Sequence, residues 1–397
     1  MPRRLLFALL AMGVAQAAVY MVRPATSYRL LALGEGAREV GLVAAAFALL
    51  PIFLAIPLGR LSDRRGAPLL LVGCTVQTVG CLFLAVSTGT ATIAVASAVV
   101  GLGHLALALG AQDVIARESD SARHDQHFGF LTTGVSLGQL VGPLLVGLVL
   151  GAGASPSAGA TTHVMLIAAG IAAIATVCAA VAERDSGPAG ARVEARRGSV
   201  RAIVSTRGVP AGIFASIAVL SAADVFTAYL PVIGESRDIG PRTIGALLAL
   251  RAGASIAARV GIGGIVRRVG RTRLISIGAT AAAAAFVSMT VTYEVWALAA
   301  LCVVAGFGLG FGQPLSMTLV VQLVPEHARS TALAVRLTGN RIGQVATPAA
   351  AGVVAGSAGA SSVFWLLGAI LVASALAIHR LAPTRPDESA EVETPVE

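Results

Sequence analysis

The sequence predicts an all-α polytopic membrane protein, with twelve transmembrane helices in two pseudo-symmetric six-helix halves. Three observations carry that prediction: little charge, apolar runs long enough to cross a bilayer, and an internal repeat. Of 397 residues, 56% are hydrophobic and 12% charged, with a mean hydropathy of +0.83. Soluble domains carry about 25% charged residues, and a soluble chain this apolar would have almost nothing to show to water. An apolar run of about 18 residues or more is a bilayer span.

Twelve such runs can be marked, at 5–22, 39–58, 68–87, 91–113, 127–150, 161–182, 209–233, 242–264, 272–291, 295–320, 331–355 and 361–381. The organisation read from them is an N-terminal half, 1–182, a polar cytosolic linker, 183–208, a C-terminal half, 209–381, and an acidic tail, 382–397. Met1 to Arg4, the run after them and Ala15-Gln16-Ala17 have the form of a signal peptide. Cleavage there would leave eleven spans, so the segment is read as the first span.

All 29 basic residues are arginine. Without lysine there is no Walker-A lysine and no Schiff base, which excludes P-loop ATPase chemistry. The arginines flank apolar spans, which points to lipid headgroups and topology rather than to nucleic acid. Twenty fall on one side, from Arg3 and Arg4 through Arg60, Arg64, Arg65 and the linker to Arg385; five (Arg23, Arg29, Arg38, Arg237 and Arg242) fall in loops on the other. Arginine-rich loops stay inside, so both termini are expected to be cytosolic, in a multi-pass protein of the plasma (inner) membrane. The four cysteines lie inside spans without CxxC spacing and carry no redox argument. His124 and His127 are read as a solvated loop, and no metal or cofactor is expected.

The two halves repeat. A shift of 204 lays Gly59–Gly66 over Gly263–Gly270 and Gly41 over Gly245; a shift of 205 lays Gly134, Gly138, Gln139, Pro143 and Gly147 over Gly339, Gly343, Gln344, Pro348 and Gly352. Two parallel halves of this kind place a substrate site at their interface.

The loop Gly59-Arg60-Leu61-Ser62-Asp63-Arg64-Arg65-Gly66 resembles the G-x-L-a-D-R-x-G-R-R signature of the major facilitator superfamily of secondary transporters, in its twelve-helix bacterial form. Ala67 and Pro68 replace the closing basic pair, and the second copy has Arg267 where Asp63 stands. The resemblance implies that Asp63 caps the start of the eleventh span near Ser330 and Thr331, and that Arg64 meets Asp113, as a gate that opens during transport. Gly134, Gly138, Gly142 and Pro143 resemble the fifth-helix motif of antiporters, with Gly339, Gly343 and Pro348 as their counterparts; four-residue spacing gives a close-packing face. Ser97 stands where many proton-coupled exporters have arginine.

Charge inside a span marks a functional position by default, because burial in hydrocarbon costs several kcal/mol unless it is paired or solvated. Asp224 and Arg251 fall at similar depth, roughly 12–14 Å from the same membrane face, and are expected to pair, either as a fixed brace or as part of substrate and proton handling. Arg336, Asn340 and Arg341 lie in the eleventh span and His104 in the fourth. No second acid is at hand for Arg336 and Arg341, so the cavity should favour an anionic substrate. Arg259 is read as snorkelling. Tyr20, Tyr28, Tyr229 and Trp296 are read as interfacial anchors, and Tyr229-Leu230-Pro231 as a helix stop or outer gate.

The function read from all this is proton-coupled secondary transport of a small organic solute by alternating access, with export favoured by the fifth-helix motif. The alternative is an organic-anion uptake carrier or facilitator, and, from another class, a non-transporting sensor. Catalytic motifs and filter-like loops are missing, which argues against an enzyme or a channel. The expected partners are a small-molecule substrate, protons and the lipid bilayer, around a monomer.

Overall fold

The computed structural model describes residues 2–65, 68–118, 124–153, 155–184, 199–325 and 328–381; the side chains of Ile56, Arg60, residues 62–65, His124, Asp125 and Ser330 also lie outside the described set. The described chain is helical. The N-terminal half comprises α1 (Arg3–Ala32), α2 (Ala37–Arg65), α3 (Leu69–Val86), α4 (Thr90–Glu118), α5 (His124–Leu150) and α6 (Ala158–Arg184). A short α7 (Val200–Ser205) precedes the C-terminal half: α8 (Val209–Ser236), α9 (Pro241–Val260), α10 (Ile262–Val269), α11 (Arg271–Met289), α12 (Val295–Gln322), α13 (Arg329–Ala358) and α14 (Ser362–Leu381).

Eleven of these helices are long and apolar enough to cross a membrane. The twelfth long helix, α13, is as long as α1 but too polar to be counted with them, because Arg336, Asn340, Arg341 and Gln344 interrupt it. A helix can carry that load in a bilayer only by turning it toward protein or a water-filled space. All four residues except Arg341 are buried, and Arg341 is half-buried.

The first helix differs most from expectation. Its span was read as ending at residue 22, yet α1 runs on to Ala32 with Pro24 inside it. Arg23 and Arg29 are therefore not loop residues. Arg29 is buried and its guanidinium donates to the carbonyls of Ala85, Ser87 and Ala158 and to the hydroxyls of Thr161 and Thr162. It ties the end of α1 to the C-terminal end of α3, where carbonyls lack helical partners, and to the first turn of α6. Arg237 does similar work in the other half, donating to the carbonyls of Thr290 and Thr292 at the end of α11. Other positions also move: Tyr20, Tyr28 and Tyr229 are buried rather than interfacial, and only Trp296 of the four is exposed. His127 lies in the first turn of α5, buried, and not in a loop. Pro231 sits inside α8, which continues to Ser236.

Glycines set the packing within each half. A Cβ on Gly138 or Gly142 would come within 2.7–2.8 Å of the backbone of Ala17 or Tyr20 on α1, and one on Gly343 would strike Ile217 and Ser221 on α8, with Gly339 beside Ile213 and Ile217. Gly134 meets Gly13 at ordinary contact. The motif glycines thus hold α5 on α1 and α13 on α8.

Contacts between halves run through other faces: α2 packs on α13, α5 on α9, and α1 and α2 on α8. The main neighbours of α3, α4, α6, α11, α12 and α14 all lie in their own halves. At the end of the bundle where α1 stops and α2 starts, Gly41 is so close to Gly352 that a Cβ on it would lie 2.5 Å from the Gly352 Cα. Gly245 meets Pro143 and Gly147 in the same way. These four glycines are two pairs of repeat positions, so the seal has the pseudo-twofold symmetry of the sequence. The Tyr229 hydroxyl closes it by donating to the Ala37 carbonyl at 2.8 Å.

A side chain in this seam must push the halves apart, at a cost of about 1–3 kcal/mol for overpacking. Gly245→Val is expected to raise labelling of a Ser27→Cys probe by an impermeant maleimide added on the sealed side, in an otherwise cysteine-free protein. Unchanged labelling would show that the seam is not what closes this end.

Candidate functional site

Halfway along the bundle, polar side chains from both halves converge. Asp224 on α8 is the one acidic residue among the described helices that lies more than two turns from either helix end. Its Oδ1 accepts a short ion-pair hydrogen bond from Nη1 of Arg23 on α1, and its Oδ2 accepts from Nε2 of Gln344 on α13 at 2.7 Å. Gln344 in turn accepts from Nη1 of Arg341 at 2.9 Å. The Arg23 guanidinium sits 4.5 Å from the Phe47 ring centroid and 5.4 Å from that of Tyr20, and the Tyr20 hydroxyl accepts from Gln139 at 3.0 Å.

The expected Asp224–Arg251 pair is therefore not formed. Both Asp224 oxygens are taken, one by an arginine that the shorter reading of the first span had placed outside. Arg251, 4% exposed, stacks against Phe226 with its guanidinium carbon 6.0 Å from the ring centroid. It makes no hydrogen bond to any described residue, and its Nε is buried without a partner among them. Burying a cation with its donors unspent is costly.

The other candidates separate into two groups. Arg336 belongs to a network inside the C-terminal half: its Nη2 donates to the Gln313 carbonyl at 3.0 Å and to Gln313 Oε1 at 2.7 Å. Gln313 donates to the Ser216 carbonyl, and the Ser216 hydroxyl donates to Asn340 Oδ1 at 2.8 Å. That network ties α8, α12 and α13 together. Arg259 donates to Ser136 on α5 at 3.1 Å, so it bridges the halves instead of snorkelling. His104 on α4 lies near Phe47, ring centroids 6.1 Å apart, with Nδ1 buried and unpartnered among the described residues.

The gate motif is only partly in view. Gly59 and Leu61 lie in the last turns of α2, Leu61 exposed and Gly59 facing open space. The side chains of Asp63 and Arg64, and all of Gly66, lie outside the described residues, as does the expected cap at Ser330. Asp113 accepts from Arg117 Nε at 2.8 Å, one turn away on α4. The second copy of the motif forms α10 and ends at Gly270, whose φ of +87° favours glycine.

Sequence reasoning missed Arg23, Phe47, Tyr20, Gln139, Gln313 and Gln344 as site residues. A signal existed for some of them. Gln139 and Gln344 are repeat partners, and Tyr20 and Asp224 are 204 apart, the same shift that aligns the loop copies. The Gln139–Tyr20 and Gln344–Asp224 hydrogen bonds are therefore one contact made twice, neutral in one half and charged in the other.

A bundle of two six-helix halves sealed at one end around a buried polar centre defines a solute carrier. Residues 8–290 and 212–396 each match the model of the Major Facilitator Superfamily, and the chain belongs to that family: it is a membrane transporter, not an enzyme. No curated protein matches it. Among solved structures, a point mutant of the nucleoside transporter NupG superposes with a TM-score of 0.76 at 14% identity, covering 95% of this chain and 99% of that one. A POT family transporter in complex with 5-aminolevulinic acid gives 0.76 at 15% identity, with 96% of each chain covered. A D-xylose–proton symporter gives 0.75 at 15%, covering 96% of this chain and 98% of that one. At such identities the likeness is one of fold.

Breaking a buried pair by removing one partner costs about 3–5 kcal/mol, because the other charge is left stranded. Arg23→Gln and Asp224→Asn are each expected to lower the thermal midpoint of the purified protein, and the double variant to lose much less than their sum. Additive losses would show that the two side chains do not depend on one another.

Proposed function

We propose that this transporter carries a small organic anion together with a proton, by alternating access of a central site to the two membrane faces. The observation that carries the reading is Arg251: buried, stacked on Phe226 and hydrogen-bonded to no described residue. Arg23 and Arg341 converge on Asp224, Arg23 directly and Arg341 through Gln344, so that acid is already engaged. A carboxylate-bearing solute would satisfy donors that the protein leaves unspent, and the positive excess would draw it in.

Asp224 supplies the proton step. While ionised, it holds Arg23 and ties α1 to α8 across the halves. Protonation removes the attraction and frees Arg23 for the substrate's carboxylate, so one proton accompanies one negative charge. Acid on the side the site faces thus favours loading. The reading makes the solute and the proton travel together, in preference to antiport. The fifth-helix glycines that favoured export are spent on packing α5 against α1. It takes 1–182 and 209–381 as the moving halves, joined through 183–208.

Orientation follows from the arginines. With Arg23 and Arg29 inside α1, only Arg38, Arg237 and Arg242 remain of the five assigned outside. The linker end is then cytosolic and the glycine seal is the outer gate. Asp63 and Arg64 remain, on resemblance, the latch of the inner one, facing Asp113.

In proteoliposomes, organic monoanion uptake is expected to follow an imposed proton gradient, with neutral solutes left behind. Arg251→Gln should lower uptake roughly ten- to hundredfold, the worth of a charge-assisted hydrogen bond of about 1.5–3 kcal/mol. Asp224→Asn should abolish the response to the gradient. Neutral-solute transport, or anion transport untouched by Arg251→Gln, would overturn the reading.

A further inference from the structure

Next to the ion pair lies a cavity that this reading leaves unused. It has about 580 Å³ of empty space, counting its mouth, between α1, α2, α8 and α13. Its two ends differ in chemistry. Arg23, Asp224 and Gln344 form the floor. From there the lining residues step toward the glycine seal, and the walls are mostly apolar, Leu30, Val43, Ala44, Ala228 and Pro348, with Ser27 and Ser97 set among them. The one threonine in the wall, Thr26, gives its hydroxyl to the Val22 carbonyl of its own helix. Among the described residues, no charged side chain lines the cavity beyond Arg23 and Asp224.

We infer that this cavity is the apolar compartment of the substrate site, and that the carrier selects amphipathic monocarboxylates: one charge at one end, an alkyl or aryl body at the other. The inference rests on the anion reading above and narrows it. A carboxylate that replaces Asp224 on Arg23 has the floor beneath it and the apolar walls ahead. The rest of such a molecule extends into this compartment, and each methylene placed there leaves water for hydrocarbon. A second charge at the far end would lie among Leu30, Val43 and Pro348 with nothing to pair with, so dicarboxylates of equal length are rejected.

The test uses protein in nanodiscs, titrated at acidic pH with acetate, propanoate, butanoate, pentanoate, phenylacetate and glutarate, apparent affinity being read from the shift in thermal unfolding. Affinity is expected to rise about fourfold per added methylene, the equivalent of about 0.8 kcal/mol, until the cavity is full. Phenylacetate should bind well, and glutarate at least about tenfold more weakly than pentanoate. Ala44→Leu should move the optimum to a shorter chain and Val43→Ala to a longer one, opposite shifts that damage to the fold would not produce. Arg23→Gln should remove the binding of every member.

Affinity independent of chain length, or glutarate equal to pentanoate, would overturn the apolar compartment and leave the anion reading standing. Binding of none of these anions by well-folded protein would overturn both.

Discussion

The polar centre of this bundle is arranged around one acidic side chain, Asp224. Asp224 sits in α8 far from either end, in a region where an unpaired carboxylate would be untenable, and it is held by Arg23 and Gln344. Arg23 belongs to one half of the molecule, Asp224 and Gln344 to the other. The electrostatic demand of a single side chain therefore draws groups from both halves to one point. It also accounts for the unusual polarity of α13, which must deliver Gln344 and Arg341 to that point and has its remaining polar load, Arg336 and Asn340, absorbed by Gln313, Ser216 and Ser316. The cation–aromatic contacts to Phe47 and Tyr20 position Arg23 without adding a competing acid.

Much of the fold was legible because its physics is local. Spans follow from apolar length, the repeat follows from glycines and prolines that recur at fixed offsets, and the close helix pairs follow from four-residue glycine spacing. Each of those signals survives without knowing the partner. Parts of the site were legible too: Asp224, Arg251, Arg336, Asn340 and Arg341 announce themselves as charge or polarity where none is cheap. What could not be read was who pairs with whom. A depth argument set Asp224 beside Arg251, but depth is one coordinate, and the choice between Arg251 and Arg23 is made in the other two.

The misplacement of Arg23 has a specific cause. A charged residue followed by proline looks like the end of a span, since proline removes a backbone donor. Yet Ala25 to Ala32 contains no glycine or proline, and the chain's glycine stop comes only at Gly34, where φ is +80°. The same extension buries Arg29, whose carbonyl contacts hold three helix ends together. An arginine that terminates backbone carbonyls is indistinguishable, in sequence, from one that meets lipid headgroups. Arg237, its functional counterpart in the second half, is a true loop residue and does the same work.

The glycine seal bears on how freely the molecule can switch. Backbone meets backbone across Gly41–Gly352 and Gly147–Gly245, so closing that seam freezes almost no side-chain rotamers. Opening it sacrifices two neutral hydrogen bonds, from the Tyr229 hydroxyl to the Ala37 carbonyl and from the Arg242 amide to the Gly151 carbonyl, whose donors and acceptors water can satisfy at once. A gate built this way is nearly weightless: it holds neither state strongly. What holds the two halves beneath it is the ion pair, where Arg23 of one half meets Asp224 of the other.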